Sequence, residues 1–166
     1  MVTLIIISLI LVVLFVGATI YHSKSIPDSV SAMVYALPTS GRYLWTVWIW
    51  AVSMLLMPVL MEKLGSYWQF LGFLWCASMA FCGALPLIKG EQNTIHNALG
   101  IAAGVLSQAC VLVLCPWWLF AWVILLVFVL SDKFRDLTSM WYGKSCLVAE
   151  GICYISLVGA LLTLNM

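Results

Sequence analysis

The sequence is dominated by apolar runs that approach or reach the length needed to cross a lipid bilayer. A transmembrane helix needs about 20 consecutive, mostly apolar residues. Six runs have this character, at residues 2–21, 43–61, 67–88, 98–115, 117–131 and 146–164. Only 8% of the residues are charged, whereas soluble domains carry about 25%. The sequence therefore predicts an all-α, polytopic membrane helical bundle, with residues 1–166 forming one transmembrane domain of about six helices.

Two of these runs have ambiguous ends. The fifth run is the shortest, and only the CPWW sequence at 115–118 separates it from the fourth. The first run resembles a signal peptide in its apolar stretch, but no basic residue precedes it, as a signal peptide requires. We therefore expect the first run to be retained as a helix.

The basic residues are distributed unevenly between the two ends of the predicted bundle. One end carries six of the seven, and Lys63 alone lies at the other: the six are Lys24, Arg42, Lys89, Lys133, Arg135 and Lys144. Cytoplasmic loops of membrane proteins carry an excess of Lys and Arg. This pattern predicts an integral membrane protein, in the plasma or inner membrane if bacterial, with both termini on the non-cytoplasmic side.

The longest connection, residues 22–42, contains an amphipathic pattern. Apolar residues recur there at helical spacing, at Ile26, Val30, Met33, Val34 and Leu37, which indicates one face of a helix. Pro27 lies near the start of the pattern and Pro38 ends it. We expect one short helix lying in the membrane interface with its serines outward.

The fourth run begins with small residues at a spacing that favours close helix packing. Gly100 and Gly104 form a GxxxG pattern, which lets two helix backbones approach closely in lipid. The pattern predicts helix packing at these two glycines. Packing inside the bundle and a homodimer face are both compatible with it.

Most ionisable groups fall in the three connections that share the basic end. His96 opens the fourth run and is the first candidate for a general base or metal ligand; the alternative is a solvated interfacial residue. The other catalytic candidates are His22, Asp28, Asp132 and Asp136. Two histidines and one aspartate would suffice for a zinc site with an open position, but no spacing requires one. No metal or cofactor is predicted.

The binding candidates come from the same connections. They are Ser29, Ser31, Arg42, Arg135 and Glu150. Glu150 is the one acid placed inside a run, where a carboxylate is costly. It is expected either to pair with Lys144 or Arg135 or to serve a function. Residues 131–144 alternate in charge, which is typical of a solvated connector or of a site for anionic lipid headgroups.

Two features bear on other classes of partner and site. The net charge is +1 and no basic face is present, so a nucleic-acid partner is not expected. Six cysteines are present without CxxC spacing, and free cysteine behaves as a small hydrophobic residue; disulfides or a metal site are the alternatives. Lys89 and Glu91 are expected to form a solvated turn.

The order of several motifs resembles that of a known group. Ser29-Val30-Ser31-Ala32 precede Tyr35 and Arg42, Ala84-Leu85-Pro86 close the third run, and Ile95-His96-Asn97-Ala98 open the fourth. Over residues 20–105 this arrangement resembles the six-helix membrane proteins of the DUF998 and Frag1/DRAM-like families. The resemblance implies a six-helix bundle with a polar cluster at one mouth, carried by Ser29, Ser31, Arg42, Pro86 and His96. Pro27-Asp28 interrupts the serine run and departs from the pattern.

Three functions remain open from the sequence. The first is non-enzymatic binding of a lipid, a small molecule or a membrane partner, either a second copy of the chain or another protein. The second is a membrane-embedded lipid hydrolase with His96 as base or ligand at the cytoplasmic mouth. The third is a small transporter or channel, which needs a polar path, and the runs offer only Gln69, Gln108, Glu150 and scattered serines.

Overall fold

A computed structural model describes residues 1–38, 41–87, 93–134 and 144–165, without the side chains of Leu87, Asn93 and residues 129–134. Within these residues the chain is helical and contains no strand. The six helices are α1 (Val2–Ser23), α2 (Met33–Ala36), α3 (Arg42–Ala84), α4 (Asn93–Leu114), α5 (Trp122–Phe134) and α6 (Ser145–Thr163). Short 3-10 helices cover Leu85–Leu87 and Pro116–Ala121.

Within the part of the chain that the structure describes, four helices are long and apolar enough to cross a membrane. They are α1, α3, the Thr94–Leu114 part of α4, and α6. The fifth predicted run differs: Pro116–Ala121 is a 3-10 helix, and Pro116–Phe128 is a shorter apolar segment. Pro116, at the start of this segment, has no backbone N–H to donate to the hydrogen-bond pattern of α4. The α-helix therefore ends before it, and a separate 3-10 helix begins at Pro116.

The second and third predicted runs form one helical element that reverses at Gly65. Gly65 has φ 65° and ψ 171°, a backbone region essentially confined to glycine. The first arm of α3 (42–64) therefore folds back on the second arm (66–84). Thr46 Oγ1 donates to the Gly83 carbonyl at 2.6 Å and Trp50 Nε1 to the Ala80 carbonyl at 2.9 Å, as antiparallel neighbours do.

One detail of α3 differs from the sequence-based expectation. Residues 62–66, assigned to a connection, are helical except at Gly65. Pro58 lies inside the first arm of this element. The second arm ends at Ala84, and Pro86 lies in the 3-10 turn that follows.

Contacts between helices fix which ends lie together. Trp48 Nε1 donates to the Leu11 carbonyl at 3.1 Å, and the ring of Trp45, one turn earlier, lies 6.1 Å from that of Phe15, one turn later, so α1 runs antiparallel to the first arm. Lys63 Nζ reaches the Leu164 carbonyl at 3.5 Å. Both ends of the chain therefore lie at the end where α3 reverses. The opposite end, with Lys24, Arg42 and Lys144, is called the basic end below.

The apolar side chains are divided between an interior and an exposed outer surface. The first arm and α6 supply much of the buried core, including Trp45, Leu56 and Leu157. Bulky apolar side chains also cover the outside of the helices, as at Val105, which is 64% exposed. An exposed apolar surface of this extent marks a protein that contacts lipid or partners.

The connection between α1 and α3 is less helical than predicted. Only Met33–Ala36 forms a helix, and Met33 and Val34 are fully buried. Turns precede it at residues 28–32. The segment thus packs into the basic end, and one of its serines, Ser31, bonds to Glu150 of α6 instead of facing outward.

Candidate functional site

Glu150 holds the α1–α2 loop (residues 24–32) against α6. Its carboxylate accepts a hydrogen bond from the backbone N–H of Val30 at 2.5 Å and from Ser31 Oγ at 3.3 Å. Ser29 Oγ accepts from the N–H of Ala32 at 3.0 Å, which completes the turn before α2. A half-buried carboxylate one turn into α6 therefore satisfies N–H and O–H groups that the turn leaves without helical partners.

The α1–α2 loop also contacts the start of α6. The Asp28 carbonyl accepts from the N–H of Leu147 at 3.1 Å, one of the first-turn N–H groups that have no partner within the helix. Lys144 forms an ion pair with the Asp28 carboxylate. Because the Asp28 side chain is 78% exposed, this pair contributes about 1 kcal/mol or less.

These contacts differ from those expected for Glu150 and Asp28. Lys144 pairs with Asp28 rather than with Glu150, and Arg135, the other expected partner, lies outside the described residues. Ser29, Ser31, Asp28 and Glu150 come together, but each of them has a partner in the chain. The arrangement fastens the loop to α6 and leaves little free polar chemistry at this point.

His96 lies beside a cysteine instead of an aspartate. Its Nδ1 and Nε2 are 3.7 Å and 3.9 Å from Cys82 Sγ. Cys82 is 6% exposed, and His96 is half-buried. The sequence interpretation treated every cysteine as a hydrophobic residue and missed this pair. The available signal was topological, because Cys82 is near the end of one run and His96 near the start of the next.

Among the catalytic candidates whose side chains the structure describes, neither His22 nor Asp28 is a hydrogen-bond partner of His96. His22 is exposed in the last turn of α1. Asp132 lies in α5, with its side chain outside the described set, and Asp136 is outside it entirely. Among the residues that the structure describes, no three His, Cys, Asp or Glu side chains are placed to hold a metal ion.

Arg42 connects α2 to the start of α3. Its guanidinium carbon is 5.6 Å from the centre of the Tyr35 ring, within the range of a cation–π interaction. Tyr35 belongs to α2, so this contact helps to fix the short helix against the first arm.

An open groove of about 600 Å³ lies at the end of α1, where the chain leaves the helix. Its lining is contributed by Ile20, Tyr21, His22, Lys24, Ser25 and Ile26. Lys24 takes a left-handed conformation with φ 53°, which turns the chain back past the helix end. Ser23 Oγ stabilises the turn by donating to the Ser25 carbonyl at 2.9 Å.

The two glycines of the GxxxG pattern have different surroundings. A methyl group at Gly104 would lie 3.7 Å from Cys153 Sγ of α6, whereas at Gly100 it would meet nothing within 4 Å. Gly104 therefore lies at the contact between α4 and α6. Gly100 lies on a more open part of α4.

The polar groups within the helices are joined to one another. Gln108 Nε2 donates to Ser156 Oγ at 3.1 Å, and its Oε1 accepts from Trp122 Nε1 at 2.8 Å, so one amide connects α4, α5 and α6. Gln69 donates to the Met61 carbonyl at 2.9 Å. Gln108 and Gln69, two of the residues that the sequence offers for a transport path, thus bond within the protein.

The chain was compared with protein-family models, with curated proteins and with solved structures, and none of the three comparisons gives a match.

Proposed function

We propose that this chain is a polytopic integral membrane protein that binds a membrane lipid or a membrane partner without catalysing a reaction. The six passes are α1, the two arms of α3, α4, the 116–134 segment and α6. The resemblance to the DUF998 and Frag1/DRAM-like proteins belongs to the same proposal. In this arrangement the basic end faces the cytoplasm and both termini face away from it.

One observation carries the proposal: the polar groups around Glu150 at the basic end bond to one another, while the outer surface of the helices is apolar and open. Glu150 and Ser31 bond to each other, and Asp28 pairs with Lys144. In contrast, Val13, Leu14 and Val105 are each more than 60% exposed. A surface of this kind is suited to bind acyl chains or apolar helices.

The experiment that tests the membrane arrangement uses reporters fused to the C-terminus. Alkaline phosphatase folds only outside the cytoplasm, and green fluorescent protein fluoresces only where it folds in the cytoplasm. We expect an active phosphatase fusion, a dark fluorescent fusion and resistance of the protein to alkaline extraction. Release by alkali would overturn the membrane proposal, and the reverse reporter pattern would overturn the orientation.

A second candidate function is favoured by the Cys82–His96 pair. A thiol beside an imidazole is the arrangement used by cysteine nucleophiles, and this pair lies at the mouth where a lipid ester could approach. The hydrolase alternative would then use Cys82 as nucleophile and His96 as base. It ranks second because Cys82 is 6% exposed, and a nucleophile needs access to its substrate.

Variants of the pair separate the two candidates. If the protein hydrolyses lipid esters, we expect Cys82→Ser and His96→Ala to abolish hydrolysis while the protein still inserts and folds. Cys110→Ser, which changes a fully buried cysteine away from His96, is the control. Activity that survives His96→Ala in folded protein would exclude His96 as the base.

A further inference from the structure

The groove at the end of α1 differs from the rest of the basic end because its donor groups are unused. Lys24 Nζ, Tyr21 OH, the His22 ring and Ser25 Oγ make no hydrogen bond or ion pair with the residues that the structure describes. All four side chains belong to residues lining one groove. The nearest acid along the chain, Asp28, is already paired with Lys144, so it does not neutralise Lys24.

The groove continues into an exposed apolar strip on α1. Residues spaced by three or four along a helix share one face, and here Ile6, Ile10, Val13, Leu14, Gly17 and Tyr21 form such a face. Its bulky members are exposed, from 45% at Ile6 to 88% at Tyr21. A methyl group at Gly17 would meet nothing within 4 Å, so the strip is shallow between Leu14 and the groove.

From these two features we infer that the groove binds the headgroup of an anionic phospholipid whose acyl chains lie along the α1 strip. The inference rests on the proposed function and names its lipid and its site. A phosphodiester offers only acceptor oxygens and a negative charge, which match hydroxyl, imidazole and ammonium donors. The apolar strip below the groove matches the acyl chains.

Lys24 decides the charge preference of this site. The C-terminus of α1 carries the negative end of the helix dipole, which disfavours an anion unless a cation stands close to it. Lys24 is the C-cap residue of α1 and lines the groove. It supplies that cation, and the hydroxyls of Tyr21 and Ser25 add neutral donors. Removing the Lys24 ammonium should therefore remove the preference for anionic headgroups, while lipid still binds along the α1 strip.

The test uses native mass spectrometry of the full chain purified in mild detergent, with phosphatidylglycerol and phosphatidylcholine added separately. We expect wild type to retain phosphatidylglycerol preferentially. We expect Lys24→Asn to lower the affinity for phosphatidylglycerol about tenfold, the size expected for loss of one charge-assisted hydrogen bond, and to leave phosphatidylcholine unchanged. Asparagine tolerates the left-handed conformation at this position, so the variant is expected to fold.

Three further variants sharpen the result. Lys24→Arg keeps the charge and should retain the preference. Lys63→Gln removes a lysine at the opposite end, where Lys63 lies 3.7 Å from Glu62, and should change nothing. Gly17→Leu fills the shallow part of the strip and should weaken both lipids alike, because the added side chain meets lipid and not protein.

Several outcomes would overturn the inference. They are equal retention of the two lipids by wild type, an equal loss in Lys63→Gln, and inorganic phosphate that displaces phosphatidylglycerol at comparable concentration. A second protein bound at the strip in place of lipid would have the same consequence. Each of these outcomes is compatible with a protein that lies in the membrane, so it contradicts the lipid-site inference and leaves the proposed function in place. Release of the protein by alkaline extraction would contradict both.

Discussion

Glu150 shows how one side chain can be costly to bury and still be structural. Its carboxylate lies within an apolar helix and is compensated by the Val30 N–H and the Ser31 hydroxyl. Replacing Glu150 leaves both donors without their acceptor, and an unmatched buried polar group costs more than a normal hydrogen bond contributes.

We expect Glu150→Leu to lower the free energy of unfolding by about 2 kcal/mol, because the Val30 N–H is left without an acceptor. Glu150→Gln keeps a side-chain oxygen at the same position and should cost about half as much. Thermal unfolding in detergent gives the stability, and hydrogen exchange at Val30 and Ser31 gives the location. Unchanged exchange at both amides in Glu150→Leu would contradict this role.

Gln108, unlike Glu150, bonds to side chains on two other helices, Ser156 of α6 and Trp122 of α5. We expect Gln108→Leu to cost about 1 kcal/mol of stability, since it leaves Trp122 Nε1–H without its acceptor and interhelical bonds in membranes are of this size. Gln69→Leu makes the same chemical change at an exposed site that bonds only to the Met61 carbonyl. Equal losses of stability in Gln108→Leu and Gln69→Leu would show that the bonds of Gln108 to the other helices contribute no additional stability.

At the scale of elements, the positions of the helices along the chain could largely be predicted from the sequence. Which helices pack against one another could not. Long apolar runs identify helices because lipid leaves the backbone no other partners. The reversal at Gly65 and the 3-10 segment at Pro116 depend on single residues whose backbone limits are known. The Cys82–His96 pair and the Val30–Glu150 bond depend on which helices are neighbours, and one sequence does not contain that information.

The contact between Trp118 and α6 requires a glycine. A methyl group at Gly159 would lie 2.6 Å from three ring carbons of Trp118, whose Nε1 donates to Thr163 Oγ1 at 3.0 Å. We expect Gly159→Ala to displace the ring, break this bond and cost about 2 kcal/mol. Tryptophan fluorescence and thermal unfolding measure the two effects.

Gly151→Ala is the matched control for that substitution. Gly151 lies in the same helix and has nothing within 4 Å of an added methyl group, so the change should be neutral or slightly stabilising. Destabilisation of both variants to the same extent would argue against the Trp118 contact as the cause.

At the scale of the whole molecule, helix lengths agree with the thickness of a bilayer. The 22 residues of α1 extend about 33 Å at 1.5 Å per residue, close to the hydrocarbon thickness of about 30 Å. The lateral surface is apolar over this length, and the charged side chains that the structure describes lie near its two ends.

A charge placed on the lateral surface separates a membrane environment from water. In lipid, Val105→Asp should cost about 3 kcal/mol and reduce the fraction of chains that resist alkaline extraction. At an exposed site in water the same change would cost about 0.5 kcal/mol or less. Tyr67→Asp, beside the reversal at Gly65, should be tolerated in either case. Full integration of Val105→Asp would contradict the membrane proposal.

The hairpin of α3 has a consequence for how the chain enters a membrane. In the proposed arrangement, one non-helical residue joins the two arms of α3. The two arms are therefore expected to insert into the bilayer together. Only the tip at 62–66 must be carried to the far side. There Glu62 and Lys63 lie 3.7 Å apart, and their charges cancel. Moving a neutral tip does no electrical work against the membrane potential, so translocation of this hairpin should proceed equally well in energised and in depolarised membranes.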